Sequence, residues 1–276
     1  MPQRPRKTVF CMVFALTFCA LVVPGLKADV IAYATLQNSI TDTFGTLDLN
    51  TGVFTAINSL EPGQLQLASF DGSLYAIETR GNSLYQVNTT TGDLTTIGSL
   101  GSYNAGQIGA TTGELYAELL NNSLDSVNPS TAATTLIASD FEPSSGNWYA
   151  LSNNGSTLYL SVDSTLYSVA ANGVITAIGT NYGTPVAGQG TALIGALLVD
   201  GGVLYGGQEE GYIDTINTTT GVATNLSTLQ GTYAGEAIYG LAPDTVTTTA
   251  TPEPRSLMLL VLALASMACF RRRLAR

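Results

Sequence analysis

The chain of 276 residues contains no histidine, and its three cysteines, Cys11, Cys19 and Cys269, all lie in apolar segments near the two ends. From Asp29 to Asp244 there is no cysteine and no lysine, and Arg80 is the single basic residue. These absences exclude Ser-His-Asp and Cys-His nucleophilic sites, histidine-based zinc sites and Schiff-base lysines from the central body. With no thiols, the body must be held together by packing rather than by disulfides. Calcium loops of the Asp-x-Asn/Asp-x type are missing as well, so no metal is expected. Only 11% of residues are charged, and the body sets 19 acidic residues against Arg80. Nucleic acid and anionic lipid are poor partners for such a surface, because each phosphate contact needs a cation.

The two ends differ from the middle. Arg4, Arg6 and Lys7 precede an apolar run from Val9 to Val23, followed by Pro24, Gly25 and a cleavage point after Ala28. That order predicts a secretion signal over residues 1–28, with mature sequence from Asp29. A retained amino-terminal anchor is the alternative, although the run is shorter than the ~20 residues of a comfortable spanning helix.

At the other end a threonine-rich linker, residues 245–251, leads to Pro252, Glu253 and Pro254. An apolar stretch from Leu257 to Phe270 and the basic cluster Arg271, Arg272, Arg273 and Arg276 complete the tail. Residues 252–276 in this order resemble the PEP-CTERM sorting signal. The resemblance implies recognition by an inner-membrane exosortase and cleavage near Pro252–Pro254. It also implies delivery to the outer surface or exopolysaccharide matrix of a Gram-negative bacterium. Fourteen apolar residues span about 21 Å as a helix, against a hydrocarbon core of about 30 Å, which suits a transient anchor. The terminal arginines hold that end in the cytoplasm, and a simple tail anchor is the competing reading.

Between the ends the sequence repeats. Ala32-Tyr33, Leu74-Tyr75, Leu115-Tyr116, Leu158-Tyr159 and Leu204-Tyr205 recur at intervals of 41 to 46 residues. A second series, Leu49-Asn50, Val87-Asn88, Val127-Asn128, Val169-Ala170 and Ile216-Asn217, precedes turns such as Thr91-Gly92 and Thr220-Gly221. In the second unit, strands are expected over 65–70, 73–79, 83–88 and 93–100. Turns at Asp71-Gly72, Gly81-Asn82 and Thr91-Gly92 supply the positive φ values that tight hairpins need. Four antiparallel strands in about 40 residues make the unit of a β-propeller blade. The expected fold is therefore all-β: residues 29–244 form a propeller of five four-stranded blades. Blade one lacks an innermost strand, which residues 237–242 supply, so the two ends of the body pair and close the ring. A β-solenoid and a two-sheet sandwich are the alternatives. Phrases such as Val87-Asn88-Thr89-Thr90-Thr91-Gly92 loosely resemble YVTN-type and quinoprotein-type repeats. The docking tryptophan of quinoprotein repeats is missing, since the one tryptophan, Trp148, is expected on an inner strand. No cofactor is implied.

The loops that lead into the inner strands share a pattern. They end in Gly63-Gln64, Gly106-Gln107, Gly146-Asn147, Gly188-Gln189 and Gly235-Glu236, and Tyr103, Phe141, Tyr182 and Tyr233 stand shortly before four of these pairs. Flat aromatic faces beside amides suit sugar rings, so an exopolysaccharide or other surface glycan is a candidate partner. The competing reading is structural: the glycine permits a tight turn, the amide satisfies loop backbone and the aromatic covers a blade junction. Glu61, Asp140, Glu142 and Glu236 fall in the same loops, and a glycosidase-type carboxylate pair is the one catalytic option left. The sequence favours a non-enzymatic structural or interaction module.

Overall fold

The computed structural model describes residues 29–38, 41–60, 63–141, 149–180 and 193–244. The expected leader, linker, sorting residues and terminal helices lie outside the described residues, as does Trp148. Among the described residues no helix is long and apolar enough to cross a membrane.

From Ile31 to Pro243 the described residues are all-β apart from one 3-10 turn, Gly231–Tyr233, and form twenty strands in five sets of four. Blade 1 holds β1 (Ile31–Asn38), β2 (Thr41–Asp48) and β3 (Phe54–Leu60). Blade 2 holds β4 (Leu65–Phe70), β5 (Ser73–Glu78), β6 (Ser83–Val87) and β7 (Leu94–Ser99), within a residue or two of the bounds expected from its turns. Blade 3 is β8 (Ala105–Ala110), β9 (Leu115–Leu119), β10 (Ser123–Val127) and β11 (Thr134–Ala138). Blade 4 is β12 (Tyr149–Asn153), β13 (Leu158–Val162), β14 (Thr165–Val169) and β15 (Ile175–Thr180). Blade 5 is β16 (Ile194–Asp200), β17 (Val203–Gln208), β18 (Tyr212–Ile216) and β19 (Ala223–Thr228). The last strand, β20 (Ala237–Pro243), pairs antiparallel with β1 from Ala32↔Pro243 to Gln37↔Ala237 and becomes the innermost strand of blade 1. The ring thus closes as the sequence predicts.

Inner strands β20, β4, β8, β12 and β16 neighbour one another in turn around the centre. Their backbones come very close. A Cβ at Gly109 would lie 2.6 Å from Leu151 Cβ, and one at Gly195 would lie 2.8 Å from the Ile238 carbonyl oxygen, so only glycine fits at either point. Between blades 4 and 5, β12 and β16 pair in parallel (Ser152↔Leu197, Asn153↔Leu198) and fuse two blades into one eight-stranded sheet.

Apolar side chains fill the blade junctions. Tyr33, Leu65, Leu67 and Leu74 pack between blades 1 and 2, and Tyr75, Leu84, Ile108 and Ala117 between blades 2 and 3. Tyr116, Phe141, Leu151 and Leu158 form the next layer, followed by Ala150, Leu166, Ile194 and Leu204. The repeated tyrosines are core residues, buried except for half-buried Tyr159. Full burial of a side chain of this size contributes about 1.5–3 kcal/mol.

One repeat register needs correction. Asn88, Asn128 and Asn217 accept backbone N–H bonds from Thr90, Ser130 and Thr219, each at 2.9 Å, which fixes the turn into each outer strand. In blade 1 the same bond goes from Asn50 N–H to Asp48 Oδ1 at 2.9 Å. The counterpart of Val87-Asn88 is therefore Leu47-Asp48, two residues before the expected Leu49-Asn50. The turn residue with left-handed φ then follows: Gly52, Gly92, Ala132, Gly173 and Gly221. Each lies against the outer strand of the preceding blade, Gly173 on Ala138, for example, and Ala132 opposite Gly98. Every outer strand carries a bulge at an aliphatic residue, Ile57, Ile97, Ile137, Ile178 or Leu226, just before that contact.

Candidate functional site

The loops between blades gather where the inner strands begin. Gln64 precedes β4 with φ 64°, and its Nε2 donates to Gln37 Oε1 at 3.4 Å. The next residue is held from the same side: Leu65 N–H donates to Asp42 Oδ2 at 2.5 Å, and Thr35 Oγ1 donates to the Leu65 carbonyl at 2.6 Å. Blade 1 therefore grips the start of the inner strand of blade 2 with three side chains, and Gln64 belongs to that grip.

Gln107 lies inside β8, where Gly106 is the extra residue of a bulge and Gln107 pairs with Glu118. Both side chains are buried, with the Glu118 carboxylate packed over Gly106 where a Cβ would collide with it. Gln107 Oε1 has no hydrogen-bond partner among the described residues. Glu236, just before β20, is half-buried, and its N–H donates to the Tyr233 carbonyl at 3.1 Å.

The aromatic residues divide. Tyr103 is 53% exposed. Phe141, a candidate sugar-stacking residue, is 2% exposed and packed among Tyr116, Leu124 and Leu151, so its ring is spent on the junction of blades 3 and 4. Tyr233 sets its ring edge-on to Phe54 at 4.9 Å, bracing the junction of blades 5 and 1. Asn147, Tyr182 and Gln189 lie outside the described residues, as do Glu61 and Glu142. Of the acids considered for a carboxylate pair, Asp140 is exposed and Glu236 half-buried, on inter-blade loops that are two apart in the ring. Among the described residues no three acids cluster as a metal site would require.

Other groups at this end were not singled out by sequence. Burial, then the charges of Glu209 and Asp42, push the Tyr239 phenol up to about 12. Glu209 is itself raised, first by burial and then by Glu210. Burial also raises Asp214, while hydrogen bonds from Gln208 and Asn225 pull the other way. Deeper in, Asn153 spans the centre of the ring: its Nδ2 donates to the carbonyls of Leu67 on β4 and Leu241 on β20, at 2.8 and 2.7 Å. A side chain from blade 4 thus links the inner strands of blades 2 and 1 and plugs the bore. The next residue, Asn154, takes a left-handed φ of 64°.

No protein-family model and no curated protein matches the chain. Among solved structures, a protein of unknown function from Bacteroides thetaiotaomicron superposes with a TM-score of 0.52 at 16% identity, over 79% of this chain and 66% of its own length. An inactive virginiamycin B lyase of Staphylococcus aureus gives 0.42 at 14% identity, over 76% of this chain and 74% of that one. Myxococcus xanthus glutaminyl cyclase gives 0.41 at 17%, over 65% and 70%. At 16% identity the first of these is a likeness of fold alone, and the strand order of this chain is that of an all-β propeller.

Proposed function

We propose that the chain is an exported, non-enzymatic interaction module of the cell surface or extracellular matrix, delivered by its leader and processed by an exosortase through residues 252–276. One observation supports this reading above the others. The body is a closed ring with Asn153 spanning its centre, and of its described loop residues Gln64, Phe141 and Tyr233 are engaged in holding blades together. Such a body is a rigid display surface rather than a reaction vessel. A glycan is the proposed partner, and exposed Tyr103 is the described aromatic free to stack on one.

Two measurements test the proposal. Replacing Pro252, Glu253 and Pro254 with Ala should leave a membrane-bound precursor of higher mass, and an unchanged mass and location would rule out the sorting signal. On a glycan array the protein should retain a surface polysaccharide and lose it on Tyr103→Ala. Retention undiminished by that change would remove Tyr103 from the site.

A further inference from the structure

Arg80 is the single base of a body that holds 19 acids, and it stands where the backbone suits it least. It occupies the turn between β5 and β6 with φ 69°. The turns between second and third strands in blades 3, 4 and 5 also hold one left-handed residue each, and there it is Asn122, Asp163 or Gly211. Those residue types enter that region readily, whereas a long side chain such as arginine seldom does. The turn by itself therefore does not account for Arg80. Its side chain is exposed and forms no ion pair among the described residues.

The same turn is stitched to the loop that carries Tyr103. Arg80 N–H donates to the Ala105 carbonyl, Ala105 N–H to the Gly81 carbonyl and Leu100 N–H to the Asn82 carbonyl, each at 2.7 Å. Tyr103 is exposed and lies two residues before Ala105, so at most about 7 Å of chain separates them. The single exposed base and the exposed aromatic are thus neighbours at the loop end, with the exposed amides of Asn82 and Asn104 beside them. Residues 79–82 and 100–104 contain no acid. Glu78, just before the turn, is half-buried with its carboxylate folded over Gly81. Asp140 stands farther off, past the next turn, where Phe141 N–H meets the Asn122 carbonyl.

We propose that Arg80 and Tyr103 form one subsite for a uronic acid residue of a glycan. The sugar ring stacks on Tyr103, and its carboxylate meets the Arg80 guanidinium. This rests on the glycan reading above and adds the class of sugar. A guanidinium presents paired donors in the geometry a carboxylate accepts, and an aromatic face suits the apolar side of a sugar ring. The other loops at this end carry Asp140, Asp163, Glu209, Glu210 and Glu236, which repel such a group. Acids at the opposite end of the blades lie about a strand length, ~17–20 Å, away, beyond the screening length of about 10 Å at 0.1 M salt. One base serves one carboxylate, so the fit is to isolated or terminal uronic residues and not to a polyanion.

Retention of the purified protein on two immobilised sets of sugars tests this: oligosaccharides ending in glucuronate or galacturonate, and the same chains ending in glucose or galactose. The uronates should be held about fivefold more tightly, the upper end of the range for an exposed ion pair. Arg80→Asn, which suits the left-handed turn, should abolish that preference with the melting temperature kept, and Arg80→Gly is the second variant should the first fold poorly. Tyr103→Ala should weaken retention of both sets. Equal retention of the two sets, or a preference that survives loss of Arg80, would overturn the uronate subsite while leaving the glycan reading in place. Retention of neither set would overturn the subsite too, and if no other glycan is held either, the glycan reading falls with it.

Discussion

Replacing Asn153 with Ala removes the link across the bore. Two hydrogen bonds are lost, each contributing about 0.5–1.5 kcal/mol net, and the carbonyls of buried Leu67 and Leu241 lose a partner. Partly offsetting this, Asn153 Oδ1, itself without a hydrogen-bond partner among the described residues, disappears as well. A destabilisation of about 2–4 kcal/mol is expected, or on the order of 10 °C in melting temperature for a domain of this size. Asn153→Asp separates the hydrogen bonds from the space the side chain fills. The introduced carboxylate can only accept, faces two carbonyls and is buried, so at pH 7 it should be worse than Ala. Burial raises the pKa of that carboxyl, so its protonated form, which can donate, is favoured as pH falls. The Asp variant should therefore recover stability relative to Ala in acid and lose it as pH rises through the raised pKa. Thermal unfolding by circular dichroism across pH 4–8 measures both variants. A loss below about 0.5 kcal/mol for Asn153→Ala, or no pH dependence of the Asp–Ala difference, would refute the plug.

Phe141→Ala should destabilise the fold by about 3–5 kcal/mol as a buried large-to-small change, whereas Tyr103→Ala should stay within about 0.5 kcal/mol. Urea titrations of the two variants compare them directly. Asp214, raised by burial, contributes stability that is fully present below its unfolded pKa and lost as pH rises through its folded one. The fold should accordingly melt higher in mild acid than at pH 8, and Asp214→Asn should flatten that slope, as read by melting curves from pH 4 to 8.

Sequence reaches the architecture because each blade spells its own strands and turns. The Leu-Tyr pairs recur once per blade on the second strand, and Asp71-Gly72 and Gly92 supply left-handed backbone where hairpins demand it. Closure was legible for a similar reason: blade 1 is one strand short, and residues 237–242 have the pattern to fill the place. Register in blade 1 was not, because Asp48 does the work of Asn88 while Asn50 imitates it two residues later. The loop site was legible only as a list of residue types. Tyr103, Phe141 and Tyr233 look alike in sequence, and their fates diverge because packing across a junction depends on the neighbouring blade. Asn153 was invisible for the same cause, since its partners lie 86 and 88 residues away along the chain.

The account rests on a ring closed by its last strand. Deleting residues 237–244 from the intact chain removes every β1–β20 pair, leaves blade 1 with three strands and opens the edge of β1. Urea unfolding followed by circular dichroism should then lose its single cooperative transition, or the variant should aggregate, while the undeleted protein unfolds in one step. A deletion variant that keeps the parent's midpoint and cooperativity would contradict the closed ring.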